Sequence, residues 1–376
     1  MPRPDVDRER LLALVDDFAG VRVAVLGDLL VDEFIYGQIS RVSREAPVLI
    51  LEYDSTELLP GGAGNAANNV AALGGRAMSI GIAGDDEPGR RLLDAMRPRI
   101  DVRNVVTHKA VVTPTKTRIL AGGVHSAKQQ VVRVDRTARA PIPEAVRISV
   151  ARRVSSVLGR ADALLVSDYG TGLVTPALVR LAQRTLRGPG PTQAPVLIDS
   201  RYALLDHRRM TMCTPNESEV EHLLGVRIGE NTRVLEKAGR VLLERTAAGG
   251  VLITRGSRGM ALFERDRSTV HIPISGSDQI ADVTGAGDTV IAAMTLALAA
   301  GASALEAALL ANYAGGLVVM KRGTATIGAD ELKQAIRGER GDRAAPDQRT
   351  RLRQGDGGQA RGPADQRTGA PADKRR

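Results

Sequence analysis

The sequence predicts an α/β fold, with a mainly parallel central sheet, helices on both of its faces and a small β-sheet lid. Short apolar runs alternate with helical patterns, which is typical of a parallel sheet. Two regions, 34–54 and 113–135, instead hold consecutive alternating strands without a helix between them, and these predict the lid. The apolar runs are VRVAVLG from residue 21, AMSIGIA from 77, ADALLVS from 161, APVLID from 194, MTMCT from 210 and GVLIT from 250.

The composition fits a globular protein of the cell interior. With 376 residues, 43% of them hydrophobic, the chain can bury a sizeable core. Cys213 is the single cysteine, which excludes an intrachain disulfide and fits a reducing compartment, so we expect a cytoplasmic location. The N-terminus is charged throughout, unlike a secretory signal, and the apolar run Val290–Ala300 is too short to cross a bilayer. We therefore expect no membrane association.

The basic charge is partly concentrated at the C-terminus. The chain has a net charge of +9, and its segment 338–376 holds ten Lys/Arg against six Asp/Glu. That segment is rich in Gly, Pro and Arg, and Leu352 is its only large apolar residue, so it cannot form a core. We predict a folded domain over 1–337 and a disordered basic tail over 338–376. Because the tail lacks aromatic residues for base stacking, we expect no nucleic-acid partner.

Polar residues follow several of the predicted strands. Asp28, Asp168, Asp199 and Asn216 come at or just after the ends of the runs at 21, 161, 194 and 210. In open parallel sheets, ligands bind beyond the carboxyl ends of the strands. One carboxylate at such a place is more often a helix cap, but four polar strand ends at one edge predict a site.

A glycine-rich loop, ADVTGAGDT (281–289), directly precedes the apolar run VIAAMTLALAA. Its glycines let successive N–H groups converge, and the helix that follows adds the positive end of its dipole, so the loop can hold an anion. It matches neither a Walker A loop nor GxGxxG. Asp288 would lie in the first helical turn, where it could take a proton from a hydroxyl that attacks phosphorus. A plain glycine turn with an aspartate stabilising the helix N-terminus explains this motif equally well.

A second glycine-rich stretch, PGGAGNAANNVAALGG (60–75), also leads into a helix. Asn65 and Asn69 are four apart and share a helix face, where their amides could bind sugar hydroxyls. A tight turn followed by a small-residue packing helix is an equally good interpretation.

TPNESEVEHLLG places Asn216 and Glu219 three residues apart. This spacing predicts a capping box, which is the favoured interpretation of the motif alone. The same pair could also hold water around a magnesium ion carried by nucleotide phosphates. Farther along, ITRGSRGMALFE (253–264) predicts strand, turn and strand, with Arg255, Gly256 and Gly259 in the turn.

Cationic residues interrupt the apolar alternation of the lid strands. Singly, each is more simply explained as part of a solvated face, whereas together they could bind the phosphate of a sugar phosphate. They are Arg41, Arg44, Lys116, Arg118 and Arg133.

Taken together, these segments resemble the PfkB, or ribokinase-like, family of carbohydrate kinases, which implies that the predicted α/β fold is ribokinase-like. The resemblance covers about residues 20–337 and rests on PGGAGNAANN and DVTGAGDT, in the family's order, with NESE matching its Asn-x-x-Glu motif. Within the family, GDLLVDEFIYGQISRVSREAPV, SDYGTG, TPNESE and DVTGAGDTVIA are similar to the kinase domain of the bacterial heptose-7-phosphate kinases. Those enzymes phosphorylate the anomeric hydroxyl of D-glycero-β-D-manno-heptose 7-phosphate.

The resemblance implies an ATP-dependent sugar kinase that uses Mg²⁺, with Asp288 as catalytic base. It implies an anion hole formed by the amides of Gly285, Ala286 and Gly287. On the nucleotide side it implies Asn216, Glu217, Ser218, Glu219 (holding magnesium through water), Arg255, Gly256, Gly259 and Asn312. Together with the strand-end and lid residues, the predicted substrate-binding set is Asp28, Asp32, Gly61, Gly62, Asn65, Lys116, Arg118, Arg133 and Asp168.

Two departures from the heptose kinase pattern concern the substrate's phosphate. Thr171 replaces the lysine of SDYxKG, and Ser200-Arg201 replaces Pro-Lys after VLID. The resemblance also implies a homodimer through the lid strands. Because no HxGH nucleotidyltransferase motif follows the kinase region, that activity is expected on a separate chain. The alternatives are a PfkB kinase of another sugar or nucleoside, and a catalytically silent sugar-binding regulator of the same fold.

Overall fold

The computed structural model describes residues 6–122, 128–137, 140–186, 193–275, 282–321 and 323–338. The strands in chain order are β1 (Arg22–Gly27), β2 (Leu29–Val42), β3 (Leu49–Gly62), β4 (Arg76–Gly84), β5 (Asp101–His108), β6 (Thr115–Gly122), β7 (Gln129–Arg136), β8 (Ala163–Asp168), β9 (Val196–Ser200), β10 (Met212–Cys213), β11 (Gly250–Thr254), β12 (Met260–Glu264) and β13 (Val270–Ile272). The helices are α1 (Arg8–Asp16), α2 (Ala63–Ala72), α3 (Glu87–Met96), α4 (Glu144–Leu158), α5 (Pro176–Thr185), α6 (Glu217–Leu224), α7 (Thr232–Thr246), α8 (Ala286–Ala299), α9 (Ala304–Val318) and α10 (Ala329–Arg337).

The central sheet has the strand order β13-β12-β11-β10-β9-β8-β1-β4-β5 in the described part of the chain. In this spatial order, the strands from β11 to β5 all run parallel to one another. At the opposite edge, β12 pairs antiparallel with β11, and β13 pairs antiparallel with β12. The predicted mainly parallel sheet is therefore confirmed, with each of the apolar runs in one of its strands. The sequence did not predict β5, because this edge strand is only partly buried and lacks a continuous apolar run.

Helices cover both faces of this sheet. Along β1, Val23 and Val25 pack into a core with α1, α2, α8, α9 and α10, whereas Ala24 and Leu26 pack into a second core with α4, α5 and α7. This alternation follows from the two-residue period of a strand. The helix predicted after the glycine loop is α8, which is buried on nearly all sides against α2 and α9.

The lid is a second sheet with the order β3-β2-β6-β7. β2 pairs antiparallel with β3 and parallel with β6, and β6 pairs antiparallel with β7. The predicted lid is confirmed, but its first two strands are longer than the predicted range 34–54: β2 begins at Leu29 and β3 runs to Gly62. The start of β2 therefore includes Asp32, and the end of β3 includes Gly61 and Gly62, directly before α2. We call these two segments the inner ends of the lid strands.

The structure also bears on two predictions about the chain as a whole. None of its described helices is both long and apolar enough to cross a membrane. Of the predicted tail 338–376, Gly338 directly follows α10, and residues 339–376 lie outside the described residues. The division into a kinase domain and a tail stays a prediction.

Candidate active site

The polar strand ends meet at one edge of the central sheet. β10, β9, β8 and β1 are successive neighbours, so the residues at their carboxyl ends lie side by side. Asp28, Asp168, Asp199 and Asn216 thus share the edge that the sequence predicts as a site. The loop before α8 and the inner ends of the lid strands supply the remaining residues.

The backbone of the glycine loop brings Asp288 into the protein interior. Gly285 precedes α8 with a φ of 79°, in the left-handed region that favours glycine. A Cβ at Gly285 would lie 2.6 Å from Asn65 Nδ2, so a side chain there would displace the amide. Asp288 lies in the first turn of α8 and is 3% exposed. The predicted placement of a carboxylate beside the loop is therefore observed, and its catalytic role stays a prediction.

Two neutral donors bind the Asp288 carboxylate. Asn65 Nδ2 donates to Oδ2 at 2.8 Å, and the Tyr169 hydroxyl donates to Oδ1 at 3.1 Å. Burial raises the pKa of Asp288 to about 7, although these two hydrogen bonds oppose the rise; nearby Asp32 raises it further and Lys116 lowers it. A carboxyl group with this pKa can take up and release a proton near neutral pH, as a general base must.

Side chains of α2 fix the orientation of Asn65. Asn69 Nδ2 donates to Asn65 Oδ1 at 3.2 Å, and Thr289 Oγ1 donates to Asn69 Oδ1 at 2.9 Å. The chain of contacts therefore runs from α8 through α2 and back to Asp288. The structure assigns Asn65 a contact with the predicted base, while its predicted contact with sugar hydroxyls stays a prediction. Nearby, a Cβ at Gly61 would lie 2.3 Å from Asp32 Oδ2, so the backbone there passes close to that carboxylate.

The loop after β8, SDYGTG, is fastened to Asp28. Thr171 Oγ1 donates to Asp28 Oδ1 at 2.5 Å, and the backbone N–H groups of Tyr169 and Thr171 donate to Oδ2 at 2.9 and 3.0 Å. Burial raises the pKa of Asp28, against these hydrogen bonds. Thr171, which departs from the heptose kinase pattern, thus holds the loop that carries Tyr169.

Asp168 supports the same loop from the other side. Ser200 Oγ donates to its Oδ2 at 2.6 Å, and the Gly170 N–H donates to Oδ1 at 2.9 Å. Burial acts to raise the pKa of Asp168, but the His207 ring, 3.9 Å away, and the hydrogen bonds from Ser200 and Gly170 lower it overall. Asp28 and Asp168 are therefore observed as supports of the loop, and their predicted contacts with substrate stay predictions.

The lid contributes cations to the site. Arg118 donates to Asp32 Oδ1 at 2.6 Å, and both side chains are nearly buried. Lys116 lies 4.9 Å from the centroid of the Tyr169 ring, and burial lowers its pKa. Arg133 binds Asp135 through two hydrogen bonds and is about 41% exposed. Of the predicted lid cations, Lys116 acts electrostatically on the Asp288 carboxylate, and Arg118 pairs with the neighbouring Asp32.

The Asn-x-x-Glu motif forms the capping box that its spacing predicts. The Glu219 N–H donates to Asn216 Oδ1, and the Asn216 N–H donates to Glu219 Oε2, each at 2.9 Å. One carboxylate oxygen of Glu219 is thereby occupied, while the other faces the cleft, 3.9 Å from Arg201 Nε. Ser218 lines the same shallow pocket as Asn216 and Glu219.

A largely apolar cavity of about 310 Å³ opens beside this motif. A cavity of this size, with a few polar groups at its rim, suits a small organic ligand. Asn312 lies at its wall, where Nδ2 donates to the Pro273 carbonyl at 2.9 Å. The residues that line it are Asn216, Thr254, Gly256, Gly259, Met260, Ile274, Val283, Ala286, Gly287, Val290, Asn312, Gly315, Gly316 and Val319.

Arg255 does not line this cavity. Its guanidinium donates to Glu217 Oε2 at 2.8 Å and to the Gly229 carbonyl at 2.9 Å, and its side chain is nearly buried. Glu217 also accepts from Arg258 at 2.5 Å. The structure therefore shows Arg255 and Glu217 clamping the predicted turn against α6, and their predicted nucleotide contacts stay predictions.

The sequence placed Asp199 among the polar strand ends of the site but assigned it no individual contact. Burial, together with the carboxylates of Glu219 and Asp288, raises its pKa well above the ordinary value. Burial also raises the pKa of Glu219. Two neighbouring carboxylates of this kind fit a divalent cation, whose charge would relieve their repulsion. In the described ranges, no group of three or more His, Cys, Asp or Glu side chains forms a metal site.

Comparisons with known proteins agree with this geometry. Residues 23–331 match the family model described as pfkB family carbohydrate kinase. The relatives include "Bifunctional protein HldE" from Caulobacter sp. (strain K31), 39% identical over 341 residues that cover 89% of this chain and 67% of that protein. A protein of the same name from Pelobacter propionicus is 36% identical over 338 residues, covering 88% of this chain and 66% of that protein. The chain thus spans about two thirds of the length of these relatives.

Solved structures share the fold at low sequence identity. Phosphofructokinase-2 from Escherichia coli, in complex with potassium, superposes with a TM-score of 0.67 at 20% identity, covering 85% of this chain and 99% of that one. Ribokinase from Arabidopsis thaliana, complexed with ribose and ATP, gives a TM-score of 0.62 at 17% identity, covering 85% and 99%. These likenesses establish a ribokinase-like fold. Together with the match over 23–331, they lead to the conclusion that the chain belongs to the pfkB family of carbohydrate kinases.

Proposed function

We propose that this carbohydrate kinase transfers the γ-phosphoryl group of ATP to C1 of D-glycero-β-D-manno-heptose 7-phosphate, giving the 1,7-bisphosphate for ADP-heptose biosynthesis. The observation that carries the proposal is the buried carboxylate of Asp288, in the first turn of α8 beside the glycine loop. The motif resemblance to heptose-7-phosphate kinases supports this acceptor. The match to the HldE relatives over most of the chain is consistent with it.

In the proposed reaction, Asp288 accepts the proton of the attacking hydroxyl. The acceptor oxygen forms a bond to the γ-phosphorus, the bond from that phosphorus to the bridging oxygen of ADP breaks, and ADP leaves. The N–H groups of Gly285, Ala286 and Gly287, at the start of α8, would stabilise the negative charge on the transferred group. This assignment is supported by the space beside Gly287. A Cβ added at Gly287 would have one atom of another segment within 4 Å, Asp199 Oδ2 at 3.9 Å. The loop is therefore open on the side from which a phosphate would approach.

The nucleotide would occupy the apolar cavity, with its phosphates toward the glycine loop. This assignment is supported by Gly256, Gly259 and Asn312 at the cavity wall, as the family resemblance requires. Glu219, through water, and Asp199 would hold the magnesium ion, which supplies positive charge to the phosphate oxygens. The raised pKa of each carboxyl supports this role, because a nearby cation would favour its ionised form.

The acceptor would lie between Asp288 and the lid. Asp32, Gly61, Gly62 and Asn65 would contact its hydroxyls, and the lid cations Lys116, Arg118 and Arg133 would bind its phosphate. In support, β2 and β6 place Asp32 opposite Lys116. A sugar phosphate needs both kinds of partner, since carboxylates and amides bind hydroxyls and guanidinium groups bind phosphate.

We also propose a homodimer through the lid strands. Support comes from apolar side chains that are exposed on the lid, among them Val42, Tyr53 and Val134. A two-sided sheet with such a surface is stabilised when a second copy covers it. The separate nucleotidyltransferase chain and the cytoplasmic location remain predictions.

Acceptor profiling tests the proposed function. The purified chain, with ATP and Mg²⁺, is incubated with heptose 7-phosphate, fructose 6-phosphate, ribose and nucleosides, and the products are identified by mass spectrometry. We expect the heptose phosphate to gain one phosphoryl group with the highest kcat/KM. Preference for another acceptor would replace the heptose assignment with that specificity. Sugar binding without phosphorylation of any acceptor would favour the silent regulator instead.

A further inference from the structure

Most cations in the cleft already have a carboxylate partner. Arg118 binds Asp32 at 2.6 Å and Arg133 binds Asp135 at 2.6 Å. On the other side, Arg255 binds Glu217 at 2.8 Å. A guanidinium has five N–H donors, so such a pair fixes the orientation of the cation and leaves donors for an added phosphate.

Arg201 and Lys116 differ from these pairs. In the part of the chain that the structure describes, the carboxylate oxygen nearest to the Arg201 guanidinium is Glu219 Oε1, at 3.9 Å, beyond hydrogen-bonding distance. Among the same residues Lys116 forms no salt bridge, although Asp32 acts on it electrostatically. Both cations lie over the ring of Tyr169, with the Arg201 guanidinium at 5.0 Å and the Lys116 ammonium at 4.9 Å from its centroid. Two cations without a hydrogen bond to a carboxylate among the described residues therefore lie around this one ring.

The position of Arg201 connects the two halves of the site. It directly follows β9, and its backbone N–H donates to the Asp168 carbonyl at 3.1 Å, which fixes the start of the side chain. The side chain is 44% exposed and lines the pocket next to Glu219, on the nucleotide side. Its guanidinium lies over Tyr169, whose hydroxyl donates to Asp288. Arg201 thus lies between the predicted magnesium-holding carboxylate and the predicted base.

We propose that Arg201 binds the phosphoryl group while it passes from ATP to the acceptor. This inference rests on the proposed function and adds a catalytic residue to it. Negative charge is spread over the equatorial oxygens of the phosphoryl group during transfer, and a planar guanidinium can donate to two of them. Arg201 neither gives nor takes a proton: the proton of the acceptor goes to Asp288, and the electron pair of the broken bond goes to ADP.

A different role for Arg201 would be to bind the remote phosphate of the acceptor. That role predicts a different kinetic result. Loss of a contact made equally in the ground state and the transition state raises KM, whereas loss of a contact made only in the transition state lowers kcat. The contact with Glu219 favours the second outcome, because it directs Arg201 toward the nucleotide side.

The test compares Arg201→Gln and Arg201→Lys with the parent chain. Arg10→Gln is the matched control, because Arg10 is 45% exposed on α1 and faces one carboxylate, Glu306, at 3.4 Å. We expect Arg201→Gln to lower kcat by about 10² or more, with both KM values within about threefold. Arg201→Lys should lie in between, since it keeps the charge but loses the planar pair of donors. The control should match the parent. An unchanged kcat, or a rise confined to the acceptor KM, would overturn the proposal.

A binding measurement tests Arg201 without turnover. Calorimetry measures the affinity of each chain for ADP with Mg²⁺, in the absence and presence of aluminium fluoride, an analogue of the phosphoryl group in transfer. We expect aluminium fluoride to tighten ADP binding by at least about tenfold in the parent and in Arg10→Gln. Arg201→Gln should bind ADP alone with the parent's affinity but lose this tightening. An equal response of parent and Arg201→Gln would overturn the proposal. If the parent phosphorylates none of the acceptors, the proposed function fails, while this measurement still decides the role of Arg201.

Discussion

Replacing Asp288 by asparagine should stabilise the protein at alkaline pH. Burial raises the pKa of this carboxyl from 3.8 to about 7. Between these two values, the folded state holds a proton that the unfolded state has released, so the free energy of unfolding falls as the pH rises. Above pH 7 the carboxyl is ionised in both states, and the folded state bears the full cost of holding a buried charge. At 1.36 kcal/mol for each pKa unit, this cost is about 4 kcal/mol. An amide stays neutral at every pH and avoids this cost.

The surroundings of Asp288 can accept the amide. Asn65 Nδ2 can donate to the oxygen of the new amide as it donates to the carboxylate, and the Tyr169 hydroxyl can rotate to accept from the new amide nitrogen. The oxygen and the nitrogen of the new amide therefore each keep a hydrogen-bond partner, and the shape of the loop is kept. We expect Asp288→Asn to exceed the parent in free energy of unfolding by up to about 4 kcal/mol at pH 8, with little difference near pH 4.

Urea unfolding of the two chains at pH 4 and pH 8 measures this difference. Asp94→Asn is the control, because Asp94 is about 67% exposed on α3 and its carboxylate pairs with an exposed arginine, Arg97. It should show no comparable gain. The reasoning is refuted if Asp288→Asn is no more stable than the parent at pH 8. It is also refuted if the gain is the same at both pH values, because the effect would then not come from ionisation of Asp288.

Two further substitutions test the surroundings of the base. Tyr169→Phe removes a hydrogen-bond donor that lowers the pKa of Asp288, so the acidic limb of the pH profile of kcat/KM should move to higher pH. The control Tyr53→Phe, on the lid, should leave that limb in place. Identical profiles for the parent and Tyr169→Phe would exclude the role assigned to Tyr169. Arg118→Ala should raise the KM for a sugar 7-phosphate by tenfold or more, about 1.4 kcal/mol, with little change for ATP, and more than Arg133→Ala. A parent-like KM for every phosphorylated acceptor would count against the heptose phosphate.

Features that depend on neighbouring residues could be predicted from the sequence. Short apolar runs predicted the parallel strands of the central sheet except β5, and the three-residue spacing of Asn216 and Glu219 predicted the capping box. The glycine loop before an apolar run predicted α8 with Asp288 in its first turn. In each case the pattern repeats, or the contact forms, within a few residues, so the local sequence carries the information.

Contacts between distant segments could not be predicted in this way. Asn65 and Asp288 are 223 positions apart, and nothing in either motif indicates that the amide donates to the carboxylate. The Tyr169 hydroxyl reaches the same carboxylate from the loop SDYGTG, in which the sequence indicated a strand end and a family motif but no contact with Asp288. For Arg255, the turn was predicted, but its direction toward Glu217 rather than the cavity depends on how α6 packs. Such contacts follow from strand order, which the sequence pattern leaves open.

The rate of phosphoryl transfer by Asp288→Asn tests the central claim most directly. In the proposed reaction, the Asp288 carboxylate accepts the proton of the acceptor hydroxyl, and an amide of the same shape cannot accept it. The measurement is kcat with ATP, Mg²⁺ and the preferred acceptor, together with the affinity for ATP. We expect the kcat of Asp288→Asn to be lower than that of the parent by a factor of about 10² or more, with the affinity for ATP nearly unchanged. Turnover close to that of the parent would contradict the assignment of Asp288 as the catalytic base.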